Sequence, residues 1–277
     1  MTATGTTEFD RATAVAPLGD GGWEAACDAG WWAGRGPNGG YLAATVLRAM
    51  AAELGDPTRE PRALTCHYLR PPAVGPMRID VAVERSGRAM SQLSARLRQD
   101  GRDCVIAIAA FGTDVPGPAG FVTAPPAVAA FEDVEPARTA ARSGLSMVER
   151  FEVRPALGGA MLAGADEALT GGWLRLADPR PTDAIALTMF ADAWFPAPWV
   201  RLREPVPAPT IDLTVHLRAP AAAAALEPGE PVLAVFRSTT ATGGFFEEDG
   251  ELWSRDGVLL AQSRQLALLA PLARAAA

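Results

Sequence analysis

The sequence contains no lysine: all 25 of its basic residues are arginine, set against 32 acidic residues for a net charge of −7. Schiff-base chemistry, a lysine-bound pyridoxal phosphate and the lysine of a phosphate-binding P-loop are thereby excluded. The acidic balance, with no basic stripe, argues against nucleic acid or an anionic membrane as partner. Cysteine is scarce as well. Cys27, Cys66 and Cys104 share no C-x-x-C spacing, and with only His67 and His216 beside them there are too few soft ligands for a closed zinc site. No metal and no cofactor is expected, and the thiols read as reduced and buried, as in a cytoplasmic protein. No G-x-S-x-G elbow surrounds a serine. No apolar run reaches about 18 residues, and Met1 to Asp10 has neither the basic nor the apolar region of a leader, so neither a membrane-spanning nor a secreted chain is expected.

What is present is an ordinary globular composition, 49% apolar and 21% charged over 277 residues, enough for one large core or two smaller ones. The chain also repeats itself. Leu64-Thr65-Cys66-His67-Tyr68-Leu69-Arg70-Pro71 resembles Leu213-Thr214-Val215-His216-Leu217-Arg218-Ala219-Pro220, at a spacing of 149 residues. Val81 to Ser86 resembles Leu233 to Ser238, and Asp100-Gly101 matches Asp256-Gly257. Two copies of one unit fit the length.

Each copy opens on a helical pattern. Asn38-Gly39-Gly40 precedes Leu42, Val46, Met50 and Leu54, with Gly55 as a stop, and predicts a helix near 39–54 that is apolar nearly all round. Pro181-Thr182-Asp183 opens a second, near 183–194, closed by Pro196. Such helices are wrapped by other structure. Extended segments follow: Ile211, Leu213, Val215 and Leu217 alternate with Asp212, Thr214, His216 and Arg218, and the two Asp-Gly pairs read as hairpin turns. The fold class is α+β, two long central helices each wrapped by an antiparallel sheet. Residues 1–115 form the first unit, the Pro/Gly/Ala-rich 116–145 a linker, and 146–277 the second unit.

This pattern resembles the type II acyl-CoA thioesterase family, whose members are tandem double hotdog proteins. The resemblance rests on Asn38-Gly39-Gly40-Tyr41, His67 to Pro71, Arg85-Ser86-Gly87, Thr210-Ile211-Asp212-Leu213, Ser238-Thr239 and the stretch Asp256 to Gln265. It implies hydrolysis of an acyl-CoA or related acyl thioester, a place in fatty acid metabolism, no cofactor, and a homo-oligomer of such chains as one option. It also implies that a water is activated by Asp212 and oriented by Thr239 and Gln265, with the substrate carbonyl near Gly39, Gly40 and Tyr41. An ionised carboxylate can take the proton from the water, and the start of a helix offers unpaired N–H groups to a developing oxyanion. In the repeat Ala63, Gly87 and Ala109 stand opposite the trio, so one site per chain is expected.

Plainer readings stand beside these. Asp212 shares strand parity with Thr214, His216 and Arg218, as on a solvated face. His67 and His216 could serve a hotdog dehydratase or hydratase, although their equivalent positions favour a structural role. A non-catalytic acyl-thioester binder is a third class. Glu247-Glu248-Asp249-Gly250 reads as a solvated edge or turn, and Trp23, Trp31 and Trp32 as packing or as walls of an acyl pocket.

Overall fold

A computed structural model describes residues 6–137 and 146–269; the last part of the expected linker, 138–145, lies outside the described residues. The first half comprises α1 (Glu8–Ala12), β1 (Ala16–Pro17), β2 (Gly22–Cys27), α2 (Gly39–Leu54), β3 (Glu60–Tyr68), β4 (Gly75–Ser86), β5 (Met90–Gln99) and β6 (Arg102–Gly112). The second comprises β7 (Phe151–Gly158), β8 (Ala168–Leu176), α3 (Ala184–Phe190), β9 (Thr210–Leu217), α4 (Pro220–Ala224), β10 (Val232–Ser238), β11 (Ala241–Thr242), β12 (Phe245–Trp253) and β13 (Leu259–Leu268). All strand pairings are antiparallel, and the strands join in one sheet of order β1-β2-β4-β5-β6-β3-β9-β13-β12-β10-β8-β7, with β11 on β12. No helix among the described residues is long and apolar enough to cross a membrane.

The centre of the sheet is the β3–β9 pair. Thr65 lies opposite Thr214, their hydroxyls 3.0 Å apart, so equivalent residues of the repeat meet there. Pairing at this seam covers two strand edges that would otherwise invite foreign chains. The strands alternate as their sequences do: Leu64, Cys66, Leu213 and Val215 are buried on the inner face, while His67 and His216 are exposed on the outer one.

Helix α2 is held by its ends. Asn38 Oδ1 accepts the Tyr41 N–H at 2.9 Å, and Gly55 closes the helix at φ 63°, a left-handed conformation suited to glycine. Ten of its residues are buried, from Gly40 to Met50, as its all-round apolar pattern requires. The second helix is shorter than its pattern suggests. Asp183 caps α3 through the Ala186 N–H at 2.8 Å, but α3 ends at Phe190, seven residues long, where 183–194 was expected. Past Phe190 the chain tightens, the Asp192 N–H bonding the Met189 carbonyl at 3.2 Å and the Ala193 N–H the Phe190 carbonyl at 3.3 Å, while Asn38 Nδ2 donates to the Asp192 carbonyl at 2.7 Å and Pro196 bars any continuation. Both helices lie against the inner face and against each other. A chain of aromatic contacts, Phe9 on Trp31, Trp31 on Phe151 and Phe151 on Phe190, ties the halves together. Trp31 is thus core, stacked on Tyr41 at 5.8 Å.

The segment between the halves is more than a connector. Phe131 is buried against Trp173, Leu233, Val235 and Trp253 on the outer face of the second half. The Arg154 guanidinium covers its ring at 3.8 Å, and the Trp173 indole N–H donates to the Ala129 carbonyl at 2.9 Å. A bidentate Arg255–Glu132 pair closes the strap.

Candidate active site

The apolar stretch from Ala184 to Val200 carries one charged residue, Asp192, and the fold turns it onto the start of α2. Its Oδ2 accepts the Gly40 N–H at 2.9 Å and an Asn38 side-chain N–H at 3.0 Å. Gly40 allows this approach: a Cβ there would stand 2.8 Å from the Met189 carbonyl oxygen and 3.0 Å from Asp192 Cβ. Tyr68, at the end of β3, donates its hydroxyl to the Gly39 carbonyl at 2.8 Å, and a Cβ on Gly39 would lie 3.0 Å from Asp192 Oδ2 and 3.2 Å from the Tyr68 hydroxyl. Loss of water around the carboxyl pushes Asp192 up to about 6, against the lowering effect of the Gly40, Asn38 and Gly39 bonds. As a whole residue Asp192 is half-buried. Burial also raises the Tyr68 phenol, with Asp192 and Asp212 adding to it.

Five residues beyond Asp192, the Ala197 N–H begins a second cluster, donating to Glu248 Oε2 at 2.5 Å. Gln265 Nε2 donates to Glu248 Oε1 at 2.7 Å, and Thr210 donates its hydroxyl to Gln265 Oε1 at 2.9 Å. Thr210, Gln265 and Glu248 come from three adjacent strands, β9, β13 and β12, and share the inner face. Glu248 and Gln265 are 4% and 6% exposed, which accounts for the complete pairing of their polar atoms. Burial pushes Glu248 up to about 8 despite the Ala197 and Gln265 bonds, and the nearby Asp192 and Glu247 charges push the same way. The chain from Asp192 to Ala197 links the two clusters, one at the start of α2 and the other on the inner face of β9, β13 and β12.

The three residues of the expected trio are not gathered. Gln265 stands opposite Leu213 and Glu248, whereas Asp212 stands opposite Leu266 and His67. Directly opposed residues share a face and successive ones alternate, so Asp212 and Gln265 point to opposite faces of the sheet. Asp212 accepts the Leu266 N–H at 3.2 Å on the outer, solvated side. Thr239 is exposed just beyond β10, its N–H and hydroxyl both given to Glu247. Of the expected helix-start residues, Gly39 and Gly40 border Asp192, while Tyr41 is core: its N–H is spent on the Asn38 cap and its hydroxyl donates to the Ala12 and Ala26 carbonyls. His67 and His216 lie exposed on the outer face, away from the start of α2. Glu248 belongs to β12 and is buried, not part of a solvated turn. Asp192 was detectable as a lone carboxylate in an apolar run; Glu248 was detectable from its parity with Phe246, Gly250 and Leu252, all on the buried side of β12.

A continuous antiparallel sheet packed on central helices, with a polar site at the start of one helix, defines the hotdog class. The acyl-CoA thioesterase N-terminal domain model matches residues 28–112, and the acyl-CoA thioesterase C-terminal domain model matches residues 125–269. The chain belongs to this acyl-CoA thioesterase family, and is a thioesterase by that membership. Among solved structures it is similar to a hot dog fold protein of unknown function from Alicyclobacillus acidocaldarius, at 31% identity and TM-score 0.87 over 97% of this chain and 98% of that one. A Thermobifida fusca protein assigned as a thioesterase II is 28% identical, with TM-score 0.83 over 95% and 98% of the two chains. The fold is shared with acyl-CoA thioesterase II of Mycobacterium marinum, 20% identical, TM-score 0.76 over 96% and 99%. None of the curated proteins compared with the chain matches it.

Proposed function

We propose that the protein hydrolyses acyl-CoA thioesters at one site between two hotdog units of a single chain, 1–115 and 146–277, with Asp192 as the base that takes a proton from the attacking water. Thr210 and Gln265 orient that water from the inner face of β9 and β13. Gln265 keeps the role that the family resemblance implies; Asp212 and Thr239 give theirs to Asp192 and Thr210. The observation that carries this reading is the Asp192 carboxyl seated on the start of α2, raised to about 6 by burial and bonded to Gly40 and Asn38.

The chemistry follows from that seat. A carboxyl with a pKa near 6 is ionised at neutral pH yet more basic than an exposed aspartate, which suits a general base. The Gly39 and Gly40 amides, at the positive end of α2, hold the carboxylate in place. Thr210 gives its hydrogen to Gln265, so its oxygen remains free to accept from the water. The start of α3 is capped by Asp183, whose carboxylate also pairs with Arg180 at 2.9 and 2.8 Å.

Replacing Asp192 by Asn keeps shape and hydrogen-bonding capacity but removes the proton acceptor, and kcat should fall by about 10²- to 10⁴-fold. Asp212→Asn, on the outer face, should stay within about threefold of the parent, as surface changes usually do. Thiol release from acyl-CoAs of graded chain length measures both. An active Asp192→Asn with an inactive Asp212→Asn would return the role to Asp212. Release of no thiol from any ester, with saturable binding, would make the chain a binder, and an altered acyl chain on an intact thioester would make it a hydratase.

A further inference from the structure

Hydrolysis by Asp192, Thr210 and Gln265 leaves the buried Glu248 carboxyl without a task. Glu248 is 4% exposed, and both its oxygens accept from fixed donors, the Gln265 amide at 2.7 Å and the Ala197 N–H at 2.5 Å. The orientation of Gln265 is itself set, because Thr210 donates into its Oε1. A lone packing role would be filled better by an apolar side chain, since taking a carboxyl out of water costs several kcal/mol where its partners are neutral. The partners show what that cost serves. Ala197 opens the short 3-10 turn Ala197–Val200, five residues after Asp192, and this stretch runs from the start of α2 to the Glu248 oxygen with Pro196 stiffening it.

We propose that Glu248 is a positioning residue for Asp192: by gripping the Ala197 N–H from β12 it pins the far end of the 192–197 turn, and so holds the Asp192 carboxyl against Gly40. The proposal rests on Asp192 being the base. Asp192 sits on the uncharged start of α2; the titratable groups that its charge acts on are Tyr68 from β3 and Glu248 from β12, and Asp212 from β9 acts on the same Tyr68. Glu248 is itself mostly neutral near pH 6, since burial pushes it up to about 8. Its removal therefore changes little charge where Asp192 titrates, and movement of the Asp192 titration reports a change in that carboxyl's surroundings.

The test compares Glu248→Leu, Glu248→Gln and Ala197→Pro in the full chain. Leu has nearly the shape of Glu but no acceptor. Gln keeps an oxygen for the Ala197 N–H and can satisfy Gln265 if that amide turns over and donates to Thr210. Pro at 197 deletes the donor at the first position of a turn, where proline is tolerated. Expected for Glu248→Leu is a kcat lower by about tenfold or more, KM within about twofold, and the acid limb of kcat/KM moved from near pH 6 toward an ordinary carboxylate as water reaches Asp192. Ala197→Pro should do the same without adding to it in the double variant, and Glu248→Gln should stay near the parent. A Leu variant with a lower melting temperature but the parent's kcat and acid limb overturns the proposal. So does a Gln variant as impaired as Leu, because an oxygen kept on the Ala197 N–H would then not preserve turnover. If Glu248→Leu does not fold, Ala197→Pro decides by the same readings. Should Asp192→Asn itself remain active, the underlying reading fails instead, and the two failures are told apart.

Discussion

Two carboxyl groups, Asp192 and Glu248, titrate far from where exposed carboxylates do, raised to about 6 and about 8 from 3.8 and 4.5. Each folded-state pKa is above its unfolded value, so the folded chain binds more protons; this contribution to stability is full below pH 4 and is lost as pH rises through 6 for Asp192 and 8 for Glu248. Ion-paired carboxylates such as Asp103 and Glu152 are lowered and act in the opposite sense, losing their contribution in acid. The melting temperature should therefore be highest in mildly acid solution and decline toward pH 9, and Glu248→Gln should flatten the decline, as thermal denaturation across pH would show. Activity should behave otherwise: kcat/KM should climb through about pH 6 as Asp192 ionises, which a pH–rate profile measures. A limb near pH 4 would mean that the buried Asp192 carboxyl is not the base.

Among the elements, α2 and α3 matter through the place where they touch. A Cβ at Gly40 meets the Met189 carbonyl at 2.8 Å and Asp192 Cβ at 3.0 Å, neither of which is the free end of a flexible chain. Gly40→Ala should push the end of α3 away and lower kcat by about tenfold or more, since small misplacements of a catalytic group are costly. Gly55→Ala is the control. It strains the C-terminal cap of the same helix, at φ 63°, by about 1–2 kcal/mol, and should leave turnover unchanged. Both helices were legible from their caps and apolar spacing. The early end of α3 was not, because the Asn38 and Gly40 groups that hold Asp192 just past that end lie some 150 residues away in the chain and leave no mark on the local pattern.

For the molecule as a whole, the strap around Phe131 sets how the Pro-rich segment is used. Phe131 is 6% exposed beneath Arg154 and Arg175 and covers an outer-face cluster that would otherwise meet water. Phe131→Ala should cost about 3 kcal/mol or somewhat more of stability and speed proteolysis between 113 and 130, while kcat stays near that of the parent. Denaturant unfolding, limited proteolysis and a thiol assay on one preparation would show the dissociation. Equal loss of stability and turnover would mean that the strap also shapes the inner site.

Local chemistry was enough to specify the helices' starts and the antiparallel strands, because caps, turn residues and period-two alternation act over a few residues. The same alternation placed Asp212 with Thr214 and His216 on a polar face, which the β3–β9 register turns outward. Tertiary structure decided which carboxylate meets the start of α2. Burial makes Asp192 basic and Glu248 reluctant to ionise against the pull of their hydrogen bonds, and it depends on what packs across the inner face from different strands and halves. A sequence read along one strand specifies which residues share a side; only the closed fold specifies which side is dry.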